Sequence, residues 1–170
     1  MTLRTLALAS TVLTGIATVA TAEELRFDDV YIIGDSLSDA GTYSQSIIAA
    51  GMGALPVINY KFLTNAPDGS ALTYGEVLGQ SLGLDLGPNL YSAVPLAGQG
   101  EVPLGGTIYA EGGARVTDPT GIGFNPDQGV TTRPLSEQVD RMLADRPTLG
   151  DTDLVILWGG ANDVFTQAGA

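Results

Sequence analysis

Tyr31-Ile32-Ile33-Gly34-Asp35-Ser36-Leu37-Ser38-Asp39-Ala40-Gly41 is the stretch whose reading decides the fold. A β-branched, apolar run stops abruptly at Gly-Asp-Ser. An unbroken apolar run fits a strand buried on both faces, as in a parallel sheet. Residues 29–33 are therefore read as a strand with a serine just past its carboxyl tip. In open α/β sheets, ligands bind at those carboxyl ends, so Ser36 is a candidate nucleophile. The alternative for Gly-Asp-Ser alone is a turn with a helix N-cap, which these residue types also favour.

Two later strand tips decide between these readings. Thr107-Ile108-Tyr109-Ala110 has strand character and runs into Glu111-Gly112-Gly113-Ala114. Paired glycines allow positive φ and close approach of a ligand to the backbone. Leu154-Val155-Ile156-Leu157-Trp158 is a second continuous apolar run, predicted to be a central parallel strand with Trp158 packed in the core. It ends in Gly159-Gly160-Ala161-Asn162-Asp163. Helical segments lie between these strands. Tyr74, Val77, Leu78 and Leu82 share one face of a helix predicted over residues 71–82, with Gly83 as its stop. A second helix starts at Pro134 and carries Leu135, Val139, Met142 and Leu143 as one apolar stripe, with Pro147 and Gly150 marking its exit. Strand–helix alternation with right-handed crossovers brings all three tips to one sheet edge.

The remaining segments are less informative. Residues 47–50 suggest a helical turn ended by Gly51, and residues 57–58 a return to extended chain. Pro67-Asp68-Gly69 centres a turn, and residues 87–106 read as loop with one short strand. Asp118 and Asp127 match no calcium-loop spacing and are read as turn residues. Asp151 and Asp153 are read as capping the connection before the last strand.

Composition narrows the function classes. The chain has 170 residues, is 44% hydrophobic and 15% charged, and carries a net charge of −12. Lys61 is its one lysine. Such a surface repels phosphate backbones and anionic headgroups, so neither nucleic-acid binding nor electrostatic membrane binding is expected. The chain has no cysteine and no histidine. That removes thiolate chemistry, the commonest transition-metal ligands and the commonest general base. No Gly-x-Gly-x-x-Gly turn follows a strand, so no dinucleotide is expected, and no metal or other cofactor is called for. Arg4, an uncharged stretch over residues 5–19 and Ala20-Thr21-Ala22 before Glu23-Glu24 form the pattern of a cleaved export signal. The expected organisation is a signal peptide over residues 1–22 and one domain over 23–170, placed in the periplasm, outside the cell or on its surface.

Three blocks in order resemble those of the GDSL, or SGNH, hydrolases. Gly34-Asp35-Ser36-Leu37-Ser38-Asp39-Ala40-Gly41 resembles the first, Tyr109-Ala110-Glu111-Gly112-Gly113-Ala114 the glycine block, and Gly160-Ala161-Asn162-Asp163 the Gly-x-Asn-Asp block. The helix with Ser136, Gln138, Val139 and Asp140 is similar to one that precedes the third block in that family. The likeness spans residues 29–165 and is similar to the passenger domains of autotransporter esterases and to secreted lipases. It implies a three-layer α/β/α, flavodoxin-like fold with a mostly parallel sheet, and hydrolysis of a small-molecule or lipid ester. It also implies that Ser36 is the nucleophile. The Ser36 N–H, the Gly113 N–H and the Asn162 amide would then form the oxyanion hole, with Gly112 as the alternative glycine. Asp35, Asp39 and Asp163 are expected to hold their loops by hydrogen bonds.

The family also carries an Asp-x-x-His block near its C-terminus, and these 170 residues contain no histidine. Three explanations stay open at this point: a piece of a longer esterase with a region beyond Ala170, a truncated inactive product, or a secreted binding module that keeps the pocket without the base. A sheet closing on the last strand would have an uncovered edge.

Overall fold

The computed structural model describes residues 26–43, 64–65, 71–92, 100–122 and 132–169. The leader, the 47–58 segment, the Pro67-Asp68-Gly69 turn and Asp127 lie outside the described residues. The architecture is mixed α/β. Its strands are β1 (Asp29–Gly34), β2 (Thr64–Asn65), β3 (Ala71–Leu72), β4 (Leu90–Ser92), β5 (Glu101–Pro103) and β6 (Asp153–Trp158). Its helices are α1 (Tyr74–Leu82), α2 (Leu135–Asp145) and α3 (Ala161–Ala168).

β1 and β6 pair in parallel, from Asp29 opposite Asp153 to Gly34 opposite Trp158. On the other side of β1, Ile108 bridges Ile32 in parallel, and Pro88 bridges Ile108 in parallel. The Ile32 N–H donates to Thr107 O at 3.0 Å and the Tyr109 N–H to Ile32 O at 2.7 Å. These parallel contacts put the carboxyl tips of β1, the 107–110 segment and β6 at one edge. β2–β3 and β4–β5 are separate antiparallel pairs.

Alternate residues of β1 enter two cores. Val30 and Ile32 pack with Leu86, Ile108 and Ala110, and Tyr74, Leu78 and Leu82 of α1 lie against them. Tyr31 and Ile33 pack with Tyr109, Ala114, and Leu135 and Met142 of α2. Burying both faces is what makes β1 apolar throughout. Gly75 of α1 lies against Ile32 of β1. A Cβ on Gly75 would lie 2.5 Å from Ile32 Cδ1, so a side chain there would require the end of Ile32 to move.

Several expectations are corrected. The first helix begins at Tyr74 rather than residue 71, because residues 71–72 pair with β2 and Thr73 caps the helix. Thr73 and Glu76 form a reciprocal capping box. Gly83 ends the helix with φ 74°, as its position suggested. Leu143 points away from the core and is exposed, whereas Leu135 and Met142 are buried. Residues 87–106 hold two strands, not one. β6 is not central among the described residues: it pairs with β1 alone. Leu157 and Trp158 are 60% and 53% exposed, so Trp158 is not a core residue; its ring is tilted against Tyr74 at 5.5 Å. An apolar run reports burial of faces in a complete sheet and says nothing of how many neighbours a strand has. Among the described residues, no helix is long and apolar enough to cross a membrane.

Candidate functional site at the strand tips

The β1 tip is held tightly. Gly34 sits where a Cβ would lie 2.6 Å from Trp158 O and 2.8 Å from Ser38 Oγ. Its peptide is gripped by a side chain from α2: the Gly34 N–H donates to Gln138 Oε1 at 2.9 Å, and Gln138 Nε2 donates to Gly34 O at 3.0 Å. Past Gly34 the chain makes one tight turn, with the N–H groups of Ser38 and Asp39 both donating to Asp35 O at 3.0 Å. Asp35 Oδ1 accepts from the Leu37 N–H at 3.1 Å. Ser36 heads this turn half-buried, and neither its N–H nor its Oγ has a hydrogen-bond partner among the described residues. Ser38, by contrast, is buried and bonded to the Tyr74 hydroxyl at 3.0 Å.

Asp39 closes the turn and reaches the second tip. It is 3% exposed. Its Oδ1 accepts from the N–H groups of Gly41 and Thr42 at 2.8 and 2.7 Å, and its Oδ2 from the Gly112 N–H at 2.8 Å. Burial pushes its carboxyl up, and the N–H groups of Thr42, Gly41 and Gly112 oppose that shift. Thr42 Oγ1 donates to Ala110 O at 3.1 Å, and the Glu111 N–H donates to Gly34 O at 3.2 Å. Gly113 follows with φ 86°, a conformation that favours glycine, and its N–H has no partner among the described residues. The two tips meet: a Cβ at Gly112 would lie 3.9 Å from Ser36 Cβ.

The third tip joins the second. Asn162, in the first turn of α3, is 6% exposed and donates from Nδ2 to Ala114 O at 2.8 Å. An amide NH2 has two hydrogens, so this bond leaves one in reserve. Asp163 Oδ2 accepts from the Val116 N–H at 3.0 Å, and its Oδ1 lies 3.4 Å from Arg115 Nε. The structure thus brings Ser36 to the glycine tip and ties Asn162 to Ala114, just past that tip. Asp35, Asp39 and Asp163 hold loops, as their positions suggested. Asp118 is a turn residue, accepting from the Thr120 N–H and hydroxyl, which lower its carboxyl.

Two features went unread in the sequence. Gln138 was singled out only by resemblance; its grip on Gly34 spans 104 positions. The other is a buried network behind the glycine tip. Glu111 accepts from the Tyr43 hydroxyl at 2.7 Å and from the Arg133 N–H at 3.1 Å, and it pairs with the Arg133 guanidinium, which also bonds Glu101. Burial pushes the Glu111 carboxyl up, and the charge of Arg133 counters it. Burial beside Glu111 likewise raises the Tyr43 hydroxyl. The available signal was Glu111 itself, a charge directly after an apolar strand. Of the carboxylates near the tip, Asp39 and Glu111 accept bonds on their side chains from several donors, and Asp35 accepts one, at Oδ1. Among the described residues, no group of three potential ligands could hold a metal ion.

The comparisons with known proteins add no relative: no family model matches the chain, and no curated protein matches it.

Proposed function

We propose that these strand tips are the nucleophile and oxyanion-hole half of a GDSL-type serine esterase site. The domain is read as a three-layer α/β/α, flavodoxin-like unit exported behind the 1–22 leader and acting on a small-molecule or lipid ester. The observation that carries the proposal is an unengaged Ser36 set against a glycine tip whose Gly113 N–H is also unengaged. Attack by Ser36 Oγ on an ester carbonyl places negative charge on the carbonyl oxygen. The N–H groups of Ser36 and Gly113, with the second Asn162 amide hydrogen, are the donors assigned to that charge. Removing one such donor typically costs about 3 kcal/mol of transition-state stabilisation.

Proton transfer is the missing half. No histidine occurs in these 170 residues, and a serine without a base is a weak nucleophile at neutral pH. Turnover of p-nitrophenyl esters by this chain is therefore expected to stay at the level of its Ser36→Ala variant. The sharper test supplies the base from solution. An alkyl fluorophosphonate should phosphonylate Ser36 in the folded chain, faster with added imidazole, and mass spectrometry should locate the adduct there. Labelling no faster than in urea, or unchanged in Ser36→Ala, would refute the esterase reading. A secreted binding module with the same pocket is the second reading, favoured by the absence of histidine, and it predicts that negative result.

A further inference from the structure

The glycine tip offers two adjacent N–H groups, and only one can serve an oxyanion beside Ser36. We infer that Asp39 makes the choice: it is a positioning residue that withdraws the Gly112 N–H and leaves the Gly113 N–H to face the ligand. This inference rests on the esterase reading for its purpose, while its geometry stands on separate observations.

The Gly112 N–H lies 2.8 Å from Asp39 Oδ2, whereas the Gly113 N–H has no partner among the described residues. A charge-assisted bond to a buried carboxylate is stronger than an ordinary amide bond, so the Gly112 peptide is fixed. The next peptide, which carries the Gly113 N–H, is joined to that one through the Gly112 Cα and so is set from a fixed neighbour, and Gly113 itself holds φ 86°. The same turn grips the tip again through Thr42 Oγ1 and Ala110 O. Asp39 also stands three positions after Ser36 and holds the N–H groups of Gly41 and Thr42 with its other oxygen. One carboxylate therefore sets nucleophile and donor relative to each other.

Asp39→Asn separates the two halves of this role. Its single amide oxygen can keep both the Gly41 and Thr42 bonds. The NH2 group then meets the Gly112 N–H donor to donor. In the folded 15N-labelled chain, hydrogen exchange at the Gly112 amide is expected to accelerate at least tenfold in Asp39→Asn. Exchange at Gly41 and Thr42 should stay within about threefold, a pattern that general loosening of the turn does not produce. Phosphonylation of Ser36 with imidazole present should slow at least tenfold. In the unmodified sequence, the Ser36 adduct should protect and shift the Gly113 amide and leave Gly112 unmoved, which decides the matter even if the variant does not fold. Unchanged Gly112 exchange in folded Asp39→Asn, or an adduct that acts on Gly112 instead of Gly113, overturns the inference. If Ser36 is never phosphonylated, the esterase reading falls, and the Gly112 exchange in Asp39→Asn still judges Asp39, with the fold confirmed by the Gly41 and Thr42 amides. Should that variant also not fold, slow Gly112 and fast Gly113 exchange in the unmodified chain supports the inference, and the reverse order overturns it.

Discussion

Replacing Gln138 by Met tests whether a single amide holds the β1 tip in place. The Gln138 side chain is fully buried and makes three bonds: it accepts from the Gly34 N–H at 2.9 Å and donates to Gly34 O and Arg133 O, each at 3.0 Å. Methionine nearly matches its shape, so the change removes bonds and creates little cavity. Gly34 O keeps a partner in the Glu111 N–H at 3.2 Å. The Gly34 N–H keeps none of those described, and a buried unpaired donor costs about 1–3 kcal/mol. With about 1 kcal/mol more for the two donated bonds, the expected loss is about 3 kcal/mol. At a urea m-value of about 2 kcal/mol/M, the unfolding midpoint should fall by about 1.5 M. The single tryptophan, Trp158, lies opposite Gly34 and gives the fluorescence signal. Gln138→Glu separates bonding from shape. Its carboxylate still accepts from Gly34 N but faces two carbonyls, so it should be at least as damaging at neutral pH and recover partly in acid. A midpoint within about 0.5 M of the unaltered chain for Gln138→Met would refute the reasoning.

Gly34→Ala should cost about 1–3 kcal/mol, because the new Cβ must gain room from a backbone oxygen. That oxygen, Trp158 O, lies 2.6 Å from the Cβ position, and the same urea titration measures the loss. Glu111 gives the pH dependence. Its carboxyl is raised by burial, so over a window above the ordinary carboxylate range the folded chain holds a proton that the unfolded chain has released. Folding therefore takes up protons there, and the contribution of this group to stability falls as pH rises through the window. Glu111→Gln should flatten the slope of stability against pH above the ordinary carboxylate range, whatever it does to the absolute value through the lost Arg133 pair. An unchanged slope would mean that Glu111 stays ionised in the fold.

What was legible in the sequence follows from what is local. β1 was legible because both its faces are buried, which forces an unbroken apolar run. The start of α1 was misplaced although its signal was present: Thr73-x-x-Glu76 is a capping box, and Ala71 and Leu72 before it belong to a strand pair. β4 and β5 were hidden in a stretch rich in glycine and proline, where strand propensity is poor and only pairing between distant residues makes the strands. Trp158 was misjudged for a related reason. Its apolar neighbours imply a covered strand, yet among the described residues no strand pairs with the outer side of β6.

At the site, residue types were legible and their connections were not. Ser36, the glycine pair and Asn162 each stand out at a strand tip. The bonds that give them roles join Asp39 to Gly112, Gln138 to Gly34 and Asn162 to Ala114 across 73, 104 and 48 positions. Those bonds share one chemical character. Each fixes the direction of a peptide group with an amide or a buried carboxylate. Such an assembly is suited to stabilising developing negative charge, because its donors are set before a ligand arrives. Histidine, the commonest base for drawing the proton from such a serine, does not occur in these 170 residues. Imidazole dependence of Ser36 labelling follows from the proposed reading: strand tips that serve an oxyanion without a histidine beside them should react at a rate that rises with whatever base is brought to them.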